Sequence, residues 1–226
     1  MGNHQVTKTF GTVRALDGVT LRVEPGETVA VLGPNGAGKT TALSLMLGLR
    51  APTSGSAALF GRNPREPSSR RRSGVMLQES GVPDTIKVGE AIELFRRLYA
   101  HPMSRRDALQ VAGLEEQAGA RVGNLSGGQK QRLYFGLAIA GNPDVLFLDE
   151  PTVGLDVEAR RRFWEQIDRM VEQGKTLVLT THYLEEADAL ADRIVVIDHG
   201  KVIAEGSPAA IKGRLGGKTV RFHAPG

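Results

Sequence analysis

Two groups of residues in this chain have the types and spacing for chemistry. A lysine and a threonine close a glycine-rich run, and two adjacent carboxylates end an apolar one. The first run is Gly33-Pro34-Asn35-Gly36-Ala37-Gly38-Lys39-Thr40-Thr41. Glycine, four residues and then Gly-Lys-Thr is the pattern of a loop that cradles phosphate, provided a strand precedes it and a helix follows. Both conditions are met: Thr28-Val29-Ala30-Val31-Leu32 reads as a strand and Ala42-Leu43-Ser44-Leu45-Met46-Leu47 as a helix. The glycines let successive backbone N–H groups converge on an anion, and the positive end of the helix adds to the same site. Lys39 is then placed for β- and γ-phosphates, and the Thr40 hydroxyl for Mg²⁺. The bland alternative is a turn that only joins strand to helix. The loop by itself says nucleoside triphosphate and no more.

The second group is Asp149-Glu150, which ends the apolar run Val145-Leu146-Phe147-Leu148. With no polar residue alternating in it, that run reads as a strand buried on both faces. Two carboxylates at its end repel each other and lose water, which argues against a packing role; a nearby cation would offset the repulsion. Neighbouring side chains on a strand point to opposite faces, so Asp149 can meet the Mg²⁺ of the loop while Glu150 meets an attacking water. Gln78 and His182 also stand where apolar runs end, and open α/β sheets bind ligands beyond the carboxyl ends of their strands. Leu125-Ser126-Gly127-Gly128-Gln129 precedes a helical run. It reads either as a capping box, with Ser126 as N-cap and Gln129 three residues on, or as a second anion site at a helix start. Phe10 is a single aromatic ahead of the loop, and spacing alone favours core packing for it.

The elements that must position these groups follow in order. Residues 5–23 alternate apolar and polar and predict short antiparallel strands. Residues 56–60 and 74–77 predict strands. Residues 63–73, rich in Pro, Ser and Arg, predict a surface segment. Helices are expected over 88–100, with Ile92, Phe95, Leu98 and Tyr99 on the apolar face, and over 107–112. A helix over 157–172 carries Arg160-Arg161-Arg162, expected to be solvated. A buried strand over 176–180 precedes an acidic helix over 183–190, then a hairpin around Asp198-His199-Gly200 and a last helix over 207–215.

Composition limits the classes. The 226 residues are 40% hydrophobic and 24% charged, enough apolar content for one domain with a sizeable core. The net charge of +4 is a small basic excess and does not call for nucleic acid. The absence of cysteine excludes a disulfide framework and a thiolate zinc site, and it fits a reducing compartment. No apolar run approaches the roughly 18 residues a membrane span needs. Met1-Gly2-Asn3-His4-Gln5 lacks the pattern of a signal peptide, and no Ser or Thr completes a myristoylation motif. A role at a membrane would require something else to hold the chain there.

Taken together, these residues resemble the ATP-binding cassette family, the ATPase subunits of ABC transporters, over nearly the whole chain. Residues 33–41 are similar to the Walker A motif, and Gln78 falls at the Q-loop glutamine. Residues 125–129 match the LSGGQ signature letter for letter. Residues 146–150 look like Walker B with its catalytic glutamate, Gly154-Leu155-Asp156 resembles the D-loop, and His182 resembles the switch histidine. Phe10, followed by Gly11, resembles the aromatic that stacks on adenine. The run Thr180-Thr181-His182-Tyr183-Leu184-Glu185-Glu186-Ala187-Asp188 looks most like the subfamily that serves multidrug, antibiotic and polysaccharide exporters. Gly217-Lys218-Thr219-Val220-Arg221-Phe222 resembles the start of the further C-terminal region many of its members carry, so the chain is either a short member or a truncated one.

The resemblance implies an α/β fold: a P-loop NTPase core with a mostly parallel sheet, an N-terminal antiparallel β subdomain and a helical subdomain inserted at roughly 79–140, all one nucleotide-binding domain over 1–226. It implies ATP and Mg²⁺ as cofactors, with the metal at Thr40, Gln78 and Asp149. Two copies would pack head to tail with ATP between them. Lys39, Thr40 and Asp149 of one copy would hold the phosphates and Mg²⁺, while Ser126 and Gly128 of the other close on the γ-phosphate; the rest of 33–41, with Gly127, Gln129 and Asp156, belong to the same nucleotide-binding set. Glu150, His182 and Lys39 would be the catalytic set. An integral membrane permease is the implied partner, placing the chain at the cytoplasmic face of the cell membrane, with no nucleic acid involved. The rival is a soluble ABC ATPase acting on ribosomes or DNA. Chromosome-type members carry a long coiled coil between Walker A and signature, which this sequence lacks, and ribosome-acting ones usually carry two cassettes. The signature also argues against a generic P-loop kinase or switch protein.

Overall fold

The computed structural model describes residues 1–78 and 81–215. The 217–222 run singled out in the sequence lies outside the described residues. Strands β1 (Gly2–Phe10), β2 (Val13–Arg22) and β4 (Ser54–Ala58) form an antiparallel sheet in the order β2-β1-β4. A second sheet runs β5-β6-β7-β3-β8-β9, from β5 (Ser73–Met76), β6 (Val145–Asp149), β7 (Thr176–Thr181), β3 (Thr28–Leu32), β8 (Arg193–Asp198) and β9 (Lys201–Gly206). Its first five strands are parallel, and only β9 is antiparallel. This is the expected α/β fold. Every residue of β3, β6 and β7 is buried, as their unbroken apolar runs predict for strands covered on both faces.

Helix α1 (Lys39–Met46) leaves the end of β3 and packs between the two sheets, where Leu43, Leu45 and Met46 join Val6, Leu16, Val29 and Phe147 in one core. On the other face α6 (Val157–Glu172), α7 (Leu184–Leu190) and α8 (Pro208–Leu215) cover β3, β6, β7 and β8 through Phe163, Ile167, Leu190 and Ile211. Between β5 and β6 the chain makes α3 (Val88–Arg96), α4 (Arg105–Ala112) and α5 (Gly127–Ile139), with their own core of Ile92, Leu109, Leu114, Leu133 and Leu137.

The structure departs from expectation at four places. The first expected helix stops at Arg96, and Leu98 is 66% exposed rather than in the core. The strand expected over 56–60 lies earlier as β4, and Phe60 takes a φ of 54°, outside β space. The Arg-rich surface segment contains the short helix α2 (Pro67–Arg70), whose Ser69 is buried, and Arg72 is tied down by Asp144 at 2.6 Å and by the Phe60 ring. Of the three arginines on α6, Arg161 and Arg162 are solvated and pair with Glu165 and Glu158. Arg160 turns inward, because the 100° step per residue puts it on the side of Phe163 and Trp164.

Candidate active site

The parallel strands end at one edge, and that edge gathers the groups singled out in the sequence. The chain leaves β3 at Gly33, where the backbone passes so close to the Ile197 carbonyl that a Cβ would lie 2.2 Å from it. It re-enters helix at Gly38, whose φ of 108° is open only to glycine. Gly38 has no side chain to cap α1, so the amides of the first turn keep no side-chain partner, which suits an anion. Asn35, Gly36, Gly38, Lys39, Thr40 and Thr41 line a hollow of about 240 Å³ together with Gln78 and Glu150. It adjoins an open cleft of about 750 Å³ lined by Thr40, Thr41, Gln78 and Asp149, with Phe10 at its side. Phe10 is 39% exposed, not packed in the core, and Lys8 and Arg50 lie over its ring at 5.1 Å each. Ala37 is buried, and Pro34 is exposed at the edge of the loop.

Lys39 is buried, and its ammonium reaches the Gly33 carbonyl at 2.8 Å, the Pro34 carbonyl at 3.1 Å and Glu150 Oε1 at 3.1 Å. Glu150 Oε2 lies 3.3 Å from His182 Nδ1. The backbone of Glu150 has φ 49°, a costly conformation for a non-glycine residue, and its N–H donates to the carbonyl and hydroxyl of Thr180. The strain turns Glu150 out of line with β6, so its carboxylate bridges the lysine of one strand end and the histidine of another.

Asp149 faces the loop instead. Its Oδ1 accepts from the Thr40 hydroxyl at 3.1 Å and from the Thr180 hydroxyl, while its Oδ2 is buried with no hydrogen-bond partner. An unpartnered carboxylate oxygen beside a threonine hydroxyl is a hard-oxygen donor set that fits Mg²⁺. Among the described residues no three His, Cys, Asp or Glu side chains converge.

Thr180 escaped the reading of the sequence. It is opposite Asp149 in the parallel register of β6 and β7, and its hydroxyl ties both strand-end carboxylate residues together. Strand pairing of residues 31 apart leaves no local signal; only the carboxyl end of a second buried run hinted at it.

Ser126, Gly127, Gly128 and Gln129 are not brought to this edge. Ser126 caps α5 in the expected box, accepting from Gln129 N–H at 3.2 Å while its own N–H donates to Gln129 Oε1 at 2.8 Å. Ser126, Gly128, Gln129 and Asp156 line a separate cleft of about 440 Å³, which none of the phosphate-loop residues enters. Asp156 caps α6, accepting from the Ala159 N–H at 2.7 Å. The Ser126 hydroxyl is exposed, so within one chain half of the expected constellation faces solvent.

The family model of the ABC transporter matches residues 16–153. The Nod factor export ATP-binding protein I of Burkholderia thailandensis is 42% identical over 229 residues, covering 98% of this chain and 75% of that protein. The protein of the same name from Rhizobium sp. (strain N33) is 40% identical over 215 residues, covering 91% and 70%. Among solved structures, an ATP-binding cassette seen as a dimer in a post-hydrolysis state, bound to ADP and Pi, superposes with a TM-score of 0.84. It is 29% identical and covers 92% of this chain and 98% of that one. With its phosphate loop and acidic strand end inside the matched region, and relatives this similar over almost all of its length, the chain belongs to the ABC transporter family.

Proposed function

We propose that this chain is the motor subunit of an export transporter, binding Mg²⁺–ATP between two cassettes and hydrolysing it to drive a membrane permease. ATP binding and ATPase activity belong to this family, and the export direction is supported by the names of the relatives. The observation that carries the reading is the Glu150 carboxylate, set between Lys39 at 3.1 Å and His182 at 3.3 Å beside the unpartnered oxygen of Asp149.

The γ-phosphate competes for Lys39. When it enters the loop, the ammonium exchanges Glu150 and the loop carbonyls for phosphate oxygens, so binding frees the base. Glu150 then takes or polarises the proton of a water, and His182 holds water and γ-phosphate in line. Thr40 and Asp149, with Gln78 at the mouth, would hold Mg²⁺, which neutralises charge on the β- and γ-phosphate oxygens. Phe10 provides an exposed face for adenine. Ser126, Gly127, Gly128 and Gln129 of a second copy, flanked by its Asp156, complete the site from the opposite side, which accounts for the exposure of Ser126 and Gly127 in one chain.

No helix among the described residues is long and apolar enough to cross a membrane. The partner in this reading is an integral membrane permease, on which the cassette docks at the cytoplasmic face; the export names of the relatives support it. Gln78, between the hollow and the helices α3 and α4, is the relay to that partner. Phosphate release from Mg²⁺–ATP tests the reading. Lys39→Ala should lower kcat on the order of a hundredfold or more. Hydrolysis at the wild-type rate in that variant would overturn the site.

A further inference from the structure

Behind the catalytic edge lies a buried polar cluster with no part in the mechanism above. Glu186 on α7 is 1% exposed. The groups facing it are Thr181 at the end of β7, Thr152 in the turn after Glu150, and Trp164 and Arg160 on α6; Arg160 is the charged one among them. Glu186 Oε1, Thr152 Oγ1, Trp164 Nε1 and Arg160 Nε are all buried and none has a hydrogen-bond partner. Four orphaned polar atoms in one place are costly, and an internal water with two to four partners is the usual remedy. Burial pushes the Glu186 carboxyl above the ordinary carboxylate range, against the pull of Thr181, Thr152, Trp164 and Arg160. A carboxyl in this position can accept from the hydroxyls, the indole and the guanidinium around it.

The cluster reaches both flanks of His182. Thr181 precedes it and accepts from the Tyr183 N–H at 3.0 Å through its hydroxyl. The Tyr183 ring lies against the His182 imidazole at 4.0 Å, and the Arg160 guanidinium lies over the Tyr183 ring at 5.0 Å. Thr152 lies two residues past Glu150. One carboxyl therefore faces the turn that follows the base and the segment that carries the histidine.

Resting on the roles given above to Glu150 and His182, we infer that Glu186 is a positioning residue that locks the turn after Glu150 to the Thr181–Tyr183 segment and so holds the His182 imidazole against Glu150. It acts through Thr181, Arg160 and Tyr183 and touches neither the nucleotide nor the attacking water.

Steady-state hydrolysis by Glu186→Met and Glu186→Gln, in the wild-type and His182→Ala backgrounds, tests this. Met fills the space without polar atoms, and it should lower kcat roughly ten- to hundredfold with little change in KM. Gln keeps a donor and an acceptor and should restore most of kcat. In the His182→Ala background Glu186→Met should cost little more, because its effect runs through the histidine. The chain has a single tryptophan, so Trp164 emission reads the cluster directly. Emission should titrate in the wild type with a midpoint above the ordinary carboxylate range, and Glu186→Gln should abolish that titration. Wild-type kcat in Glu186→Met, an equal loss in both backgrounds, or a Trp164 titration that survives Glu186→Gln would overturn the inference. Wild-type turnover by His182→Ala would instead overturn the site reading beneath it.

Discussion

Lys39 Nζ stands 3.1 Å from Glu150 Oε1, and the two side chains are only 5% and 9% exposed. The lysine that receives the phosphate and the carboxylate that receives the proton are thus paired with each other before nucleotide arrives. A buried pair of this kind is costly to break from one side, because the remaining charge stays desolvated.

Stability without nucleotide reports on that pair. Lys39→Ala should lower unfolding stability by about 3–5 kcal/mol, since Glu150 keeps only His182 nearby. Adding Glu150→Gln removes the stranded charge, so the double variant should be more stable than Lys39→Ala alone. Urea unfolding of the four proteins of the cycle measures the coupling. Equal stability of Lys39→Ala and the double variant would mean that the pair does not form in solution.

Thr180 is expected to govern the metal. Its hydroxyl donates to Asp149 Oδ1 and accepts from the Glu150 N–H at 3.0 Å. Thr180→Val keeps the shape and removes both contacts. The Mg²⁺ concentration for half-maximal hydrolysis should rise roughly ten- to hundredfold, and Thr180→Ser should reverse most of the change. An unchanged Mg²⁺ dependence in Thr180→Val would show that Asp149 is held without it.

The docking surface can be reached from Gly81, just past Gln78. A side chain there meets nothing within 4 Å, and the chain has no cysteine of its own, so Gly81→Cys gives a single reactive thiol. Crosslinking from it in membranes should capture an integral membrane protein. Recovery of only ribosomal or DNA-associated proteins would favour the soluble alternative.

Much of the site was legible because its parts are local. The Gly33 to Thr41 loop sits between the strand and helix that give it meaning, and Asp149-Glu150 ends an unbroken apolar run. Thr180 and Glu186 were not legible, since each acquires its role from elements far apart in sequence: Thr180 from the register of β7 on β6, Glu186 from α6 packing on α7. Arg160 was hidden for a related reason. A triplet of arginines reads as one solvated face, and only the helix rotation separates the inward member from its neighbours. Leu98 failed in the opposite sense, because apolar spacing continued past the point where α3 ends.

The separation of the two clefts bears on the central claim, that the complete site is shared between copies. Lys39, Thr40 and Asp149 meet at one edge, while the exposed Ser126 and the half-buried Gly128 line another cleft. Replacing Glu150 by an amide keeps the shape and removes the base, so Glu150→Gln should bind ATP without hydrolysing it. Ser126→Arg added to it puts a bulky side chain where the partner's γ-phosphate must fit. Size-exclusion chromatography with light scattering, with and without ATP, tests this most directly. Glu150→Gln should be a dimer in ATP, and the Ser126→Arg, Glu150→Gln protein should stay monomeric while still binding ATP. A Glu150→Gln protein that remains monomeric at saturating ATP, or a dimer indifferent to Ser126→Arg, would contradict it.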